Sequence, residues 1–192
     1  MKKIVFIDRD GVINVDIWKY VEYWHEFKFE PSAIKAMKSL TDAGFDIYII
    51  SNQAGVGDGI FTAEQLQDVH ENMVAELAKH GVRIKGAHYC VHSRHANCAC
   101  RKPKTGLLEK AVEGVTFDRG RTFFIGDKTG DIEAGKNFKV KTILVRTGYG
   151  AESEKKITKD LIPDHIVDDL GEAARVVLMS GDPAARDTAN EA

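Results

Sequence analysis

The stretch Ile4-Val5-Phe6-Ile7-Asp8-Arg9-Asp10-Gly11 sets two carboxylates directly behind a short apolar run. Consecutive apolar, mostly β-branched side chains fit a strand buried on both faces, the habit of a parallel sheet. Outward from it the pattern recurs at Ile47-Tyr48-Ile49-Ile50, and strands are expected around Gly86 to Val91, Thr122 to Ile125 and Thr142 to Val145. Helical spacing lies between them. Ile34, Met37 and Leu40 follow Pro31 and stop at Gly44, while Leu66, Val69, Met73 and Leu77 follow a Thr62-Ala63-Glu64-Gln65 capping box and stop at Gly81. Further helices are expected near Leu107 to Val112 and Asp131 to Phe138, and Ile166-Val167 with Leu170 to Met179 predicts a last strand and helix. Strands alternating with helices imply an α/β fold with a parallel sheet flanked by helices.

The chain has 192 residues, of which 43% are hydrophobic and 29% charged, which excludes a largely disordered or collagen-like polymer. We expect one domain over residues 1–180 and a frayed polar tail over 181–192. Lys and Arg number 27 against 29 Asp and Glu, so no basic field recommends a nucleic-acid partner. The first apolar run is far too short for a signal-peptide core or a membrane span, and the expectation is a cytoplasmic protein without a membrane partner. The three cysteines, Cys90, Cys98 and Cys100, are too few and too crowded for a disulfide framework, which favours metal chemistry.

In an open parallel sheet ligands gather at the carboxyl ends of the strands. The expected strand ends here carry Asp8-Arg9-Asp10-Gly11, Ser51-Asn52-Gln53, Arg101-Lys102-Pro103-Lys104 and Gly126-Asp127-Lys128-Thr129-Gly130-Asp131. Two carboxylates leaving one strand and another from a second strand end form a site too negative to stand alone. Hard oxygen ligands of this kind suit Mg2+, whose shell a substrate phosphate can complete. The Ser51 hydroxyl and the Lys102 ammonium suit phosphate oxygens.

These four segments, in this order, resemble the motifs of the haloacid-dehalogenase (HAD) superfamily phosphatases, over residues 4 to 147. The resemblance implies a Rossmann-like HAD fold with no large cap domain and a Mg-dependent phosphomonoesterase. Asp8 would be the nucleophile that becomes an aspartyl phosphate, and Asp10 the acid and base. Asp8, Asp127 and the backbone carbonyl of Asp10 would hold Mg2+, and Ser51, Asn52 and Lys102 the phosphoryl oxygens. Asp131 would support the site from behind while capping its helix.

Cys90, His92, Cys98 and Cys100 offer three thiolates and one imidazole, a set that closes a zinc tetrahedron and makes the site structural, a loop over residues 90–100. His88 and His95 are surplus to it. This zinc-loop variant resembles the D-glycero-D-manno-heptose 1,7-bisphosphate phosphatases and, as an alternative, the histidinol-phosphate phosphatases. Arg101 and Lys128 at the pocket rim, with Ser51, Asn52 and Gln53, would bind a substrate carrying a second anionic group or several hydroxyls. The implied partner is a small phosphorylated metabolite, a sugar bisphosphate, acted on by a monomer.

A phosphatase acting on nucleic-acid ends is disfavoured by the lack of a basic or single-strand-binding extension. A non-catalytic zinc-stabilised binding module is the reading of another class, and Asp8, Asp10, Lys102 and Asp127 together argue against it. The stretch from Asp16 to Phe29, with Trp18, Tyr20, Tyr23, Trp24, Phe27 and Phe29, has no clean periodicity. It fits either a loop packed on the sheet edge or a wall around the substrate.

Overall fold

In the computed structural model, which describes residues 1–180, six strands form one sheet. They are β1 (Lys2–Ile7), β2 (Asp46–Asn52), β3 (Ile84–Cys90), β4 (Phe117–Gly126), β5 (Lys141–Val145) and β6 (His165–Val167), in the order β3-β2-β1-β4-β5-β6. Every pairing is parallel. Seven helices connect them: α1 (Ala33–Asp42), α2 (Ala54–Gly57), α3 (Ala63–Lys79), α4 (Gly106–Ala111), α5 (Thr129–Asn137), α6 (Gly150–Glu154) and α7 (Leu170–Ser180). The expected elements all appear. The short α2 and α6 and a single 3-10 turn, Trp24–Glu26, were not expected, since five residues or fewer carry no periodicity. The tail expected over residues 181–192 lies outside the described residues.

The central strand buries both faces. Val5 and Ile7 point to a core shared with Met37 and Leu40 of α1, Val69, Met73 and Leu77 of α3, and Ala173 and Val177 of α7. Ile4 and Phe6 point the other way, towards Leu107 and Leu108 of α4 and Ala134 of α5. This alternation explains the unbroken apolar run, because every residue of β1 after Lys2 and Lys3 is buried. Thr62 starts α3 as the sequence predicts: its Oγ1 accepts from the Gln65 amide at 3.2 Å and its own amide donates to Gln65 Oε1 at 2.8 Å.

Register positions the chemistry. Ile7 lies beside Ile49 of β2 and Ile125 of β4, so Asp8, Ser51 and Asp127 emerge within about one residue of the same sheet edge. Asn52 lies beside Cys90 of β3, which brings the cysteine loop to that edge as well. The point where strand order reverses, between β1 and β4, is where such sheets leave a crevice.

Candidate active site

At that crevice lies a cavity of about 450 Å3 lined by Asp8, Asp10, Ser51, Asn52, Lys102 and Asp131 at its floor. Lys102, buried, donates to the Ile50 carbonyl at 2.8 Å and pairs with Asp8 Oδ1 at 2.9 Å and Asp131 Oδ1 at 2.6 Å. Burial alone would push its pKa down, but Asp131 and Asp8 more than offset this and the ammonium stays charged. Asn52 clamps the lysine in place: its Nδ2 donates to the Lys102 carbonyl and its Oδ1 accepts the Lys102 amide, both at 3.1 Å.

Carboxylate oxygens of Asp8, Asp127 and Asp131 lie within 4.8 Å of one another. Asp127 is completely buried, and burial, with Asp8 and Asp131 beside it, pushes its carboxyl up to about 8 despite Lys128 Nζ at 3.0 Å. Gly11, at φ +84, packs on it so closely that a Cβ there would sit 2.4 Å from Asp127 Oδ2. Oxygen-only, walled in and only partly offset by Lys102 and Lys128, this donor set fits a small hard cation, which would let Asp127 ionise. Asp131 is committed elsewhere: one oxygen holds Lys102 and the other accepts the Lys128 amide at 2.9 Å, capping α5.

Asp10 lines the same cavity but has partners of its own. Both its oxygens accept from the buried Arg9 guanidinium at 3.0 Å, and Asn14 Nδ2 and Gln53 Nε2 add donors at 3.1 and 2.7 Å. Burial would raise its pKa, but Arg9, Gln53 and Asn14 hold the carboxyl below its ordinary value. Gln53, expected to bind substrate, is itself fully buried; its amide also reaches Ser51 Oγ at 3.0 Å. Its donor nitrogen is engaged by Asp10 and Ser51, and Gln53 is not among the residues that line the cavity. Arg101 and Lys128 do line the cavity, Arg101 steadied by a 2.7 Å bond to the His92 carbonyl.

Across the rim, Cys90, His92, Cys98 and Cys100 converge. Their sulfurs lie 3.3 to 3.6 Å apart and His92 Nδ1 is 3.2 Å from Cys100 Sγ. A zinc tetrahedron with Zn–S bonds of about 2.3 Å needs sulfurs about 3.8 Å apart. Burial would raise the Cys98 thiol, but hydrogen bonds from Cys100, the Arg101 backbone and Cys90 bring it down to about 6, while burial, with Cys90 and Cys98, drives Cys100 up to about 12. One thiolate forms at the expense of the next, which is the condition a bound divalent cation relieves. His95 is exposed and His88 is half-buried against Tyr48, both outside the set.

Cys98→Ser is expected to lower zinc content, measured by elemental analysis of protein purified without added metal, and to lower the thermal midpoint. Full zinc occupancy in that variant would remove Cys98 from the ligand set.

The HAD-hydrolase-like family model matches residues 99–173. The D-glycero-D-manno-heptose-1,7-bisphosphate 7-phosphatase of Chlorobaculum tepidum is 38% identical over 96% of this chain and 98% of its own length. The chain belongs to the HAD-like heptose-bisphosphate phosphatase family. A further member, the D-glycero-beta-D-manno-heptose-1,7-bisphosphate 7-phosphatase of Haemophilus influenzae, is 36% identical over 88% of this chain and 95% of its own. The crystal structure of the D,D-heptose 1,7-bisphosphate phosphatase of B. bronchiseptica, complexed with magnesium and phosphate, superposes with a TM-score of 0.87 at 28% identity, covering 94% of this chain and all of that one. This HAD-like phosphatase is a phosphoric monoester hydrolase.

Several cavity residues of this HAD-like phosphatase escape sequence reasoning. Arg94, from the cysteine loop, donates to Tyr20 Oη at 2.9 Å and pairs with Asp58 at 3.7 Å, and with Lys19 it adds positive charge to the outer cavity. Tyr149 donates its amide to Asp127 Oδ2 at 2.9 Å. Arg9 stands inside a quoted motif, yet nothing in the sequence says that its guanidinium turns inward. Among the described residues, no helix is long and apolar enough to cross a membrane.

Proposed function

We propose that this protein hydrolyses the 7-phosphate of a D-glycero-D-manno-heptose 1,7-bisphosphate, as one phosphatase domain over residues 1–180. The observation that carries the reading is the Asp8–Lys102 pair at 2.9 Å in a cavity whose outer part holds Lys19, Arg94, Arg101 and Lys128. One phosphoryl group fits the floor, and the cations above leave room for a second anionic group. The names of the relatives support the same substrate.

Asp8 Oδ attacks phosphorus, the bond to the sugar oxygen breaks, and Asp10 gives that oxygen its proton. In the second displacement Asp10 takes a proton from water as the water oxygen attacks phosphorus, and the aspartyl O–P bond breaks to return Asp8. The contacts from Arg9, Asn14 and Gln53 favour the ionised Asp10 that this second step uses. Ser51 Oγ, the Asn52 backbone and Lys102 Nζ hold the phosphoryl oxygens. Magnesium, held by Asp8, Asp127 and the Asp10 carbonyl, would supply charge neutralisation that lets a phosphate approach a carboxylate. Zinc on Cys90, His92, Cys98 and Cys100 would fix the backbone that precedes Arg101 and Lys102.

Steady-state turnover of heptose 1,7-bisphosphate against histidinol phosphate tests the reading. We expect kcat/KM for the bisphosphate to exceed that for histidinol phosphate by about a hundredfold, the value of two charge-assisted hydrogen bonds to the second phosphate. A preference for histidinol phosphate overturns it in favour of the alternative, and no phosphate release from any ester favours the binding module.

A further inference from the structure

The aromatic stretch divides between two tasks. Trp24, Phe27 and Phe29 pack on one another, with centroids 5.0 to 6.4 Å apart, against the core beneath α1 and α3. Trp18 does the opposite. It is 64% exposed, lines the cavity and holds φ at +62, a conformation that a bulky residue adopts only where its surroundings enforce it. Asp16 helps to enforce it by accepting the Trp18 amide at 2.7 Å, and the indole meets the Tyr149 ring at 4.7 Å with an interplanar angle of 78°. Tyr149 is in turn fixed to the floor through its amide bond to Asp127, with Lys128 Nζ 4.7 Å from its ring centre. An exposed, strained indole is thus held at a set distance from the reacting centre.

We propose that Trp18 determines specificity by giving the sugar ring of the substrate an aromatic wall to stack on while its phosphate sits at Asp8 and Lys102. This deepens, and rests on, the sugar-bisphosphate reading above. The C–H face of a pyranose carries partial positive charge and meets the negative π face of an indole. The remaining lining is mostly charged, and its two other aromatic rings, Tyr20 and Tyr149, are half-buried and packed on Phe61 and on Trp18 itself, so Trp18 is the exposed aromatic surface offered to a ring with one apolar face. The Tyr149 contact alone does not require the strain, since an indole on a relaxed backbone can pack on a tyrosine.

Two measurements test it. Trp18→Ala is expected to raise KM for heptose 1,7-bisphosphate by between about threefold and tenfold more than for β-glycerophosphate, a phosphate ester without a ring, with Trp18→Phe keeping most of the difference. The chain has two tryptophans, so in Asp8→Asn/Trp24→Phe the emission comes from Trp18 alone. It should shift on adding heptose 1,7-bisphosphate and stay in place with inorganic phosphate. Equal KM changes on both esters, or the same emission with both ligands, overturn the stacking role while the substrate assignment stands. Wild-type protein that hydrolyses β-glycerophosphate but not the heptose ester overturns the substrate assignment and the stacking role together.

Discussion

Asp8→Asn should abolish turnover, by roughly four orders of magnitude or more, without unfolding the protein. The amide is nearly isosteric, and its oxygen can still accept the Lys102 ammonium and the Arg9 amide, which now meet Asp8 Oδ1 at 2.9 and 2.8 Å. What disappears is the charged oxygen that, on the proposed mechanism, attacks phosphorus. Removing one negative charge also relieves Asp127, so the thermal midpoint of protein without added magnesium should hold or rise. Phosphate release and a thermal melt on the same sample check both halves. Activity within tenfold of wild type, in a preparation free of host phosphatase, removes Asp8 as the nucleophile.

Lys102→Met should damage both stability and turnover. The ammonium is buried between Asp8 and Asp131, and deleting one partner of a buried pair costs about 3 to 5 kcal/mol because the other charges stay behind. For a chain of this length that is a fall of roughly 6 to 20 °C in the unfolding midpoint. Turnover should drop by about a thousandfold or more, since the same atom would neutralise a phosphoryl oxygen. Magnesium should restore part of the stability by neutralising the carboxylates, but little of the activity. A melt unchanged from wild type would mean that the carboxylates are protonated and need no lysine.

Much of this was legible in the chain itself. Each central strand is an unbroken apolar run because it is covered on both faces, and each ends on a polar segment because the crevice begins there. Thr62 and Gln65 announced α3 through capping chemistry that is local by nature. The illegible part depends on direction. Arg9 and Gln53 follow strand ends just as Asp10 does, yet they turn inward and brace Asp10, and their residue types do not encode that turn. Arg94 and Tyr149 reach the cavity through contacts with residues 74 and 22 positions away, and Trp18 through a backbone angle that no periodicity reports.

The position of β1 in the sheet governs how the molecule is made. Its register with β2 joins residues some forty positions apart, whereas its register with β4 joins Ile7 to Ile125. A growing chain can therefore pair β1 with β2, and β2 with β3, early, but one long edge of β1 stays open until more than half of the polypeptide has been synthesised. That edge is apolar and lacks the charges that protect permanent edges, so the incomplete chain exposes a template for mispairing. Closure by β4 also delivers Asp127 and Asp131 to Asp8, which puts the assembly of the negative cluster in the same late event as the slowest loop closure. Nascent fragments ending before residue 117 thus hold Asp8 and Lys102 in one chain without Asp127 and Asp131, and the site is complete only once β4 has paired with β1.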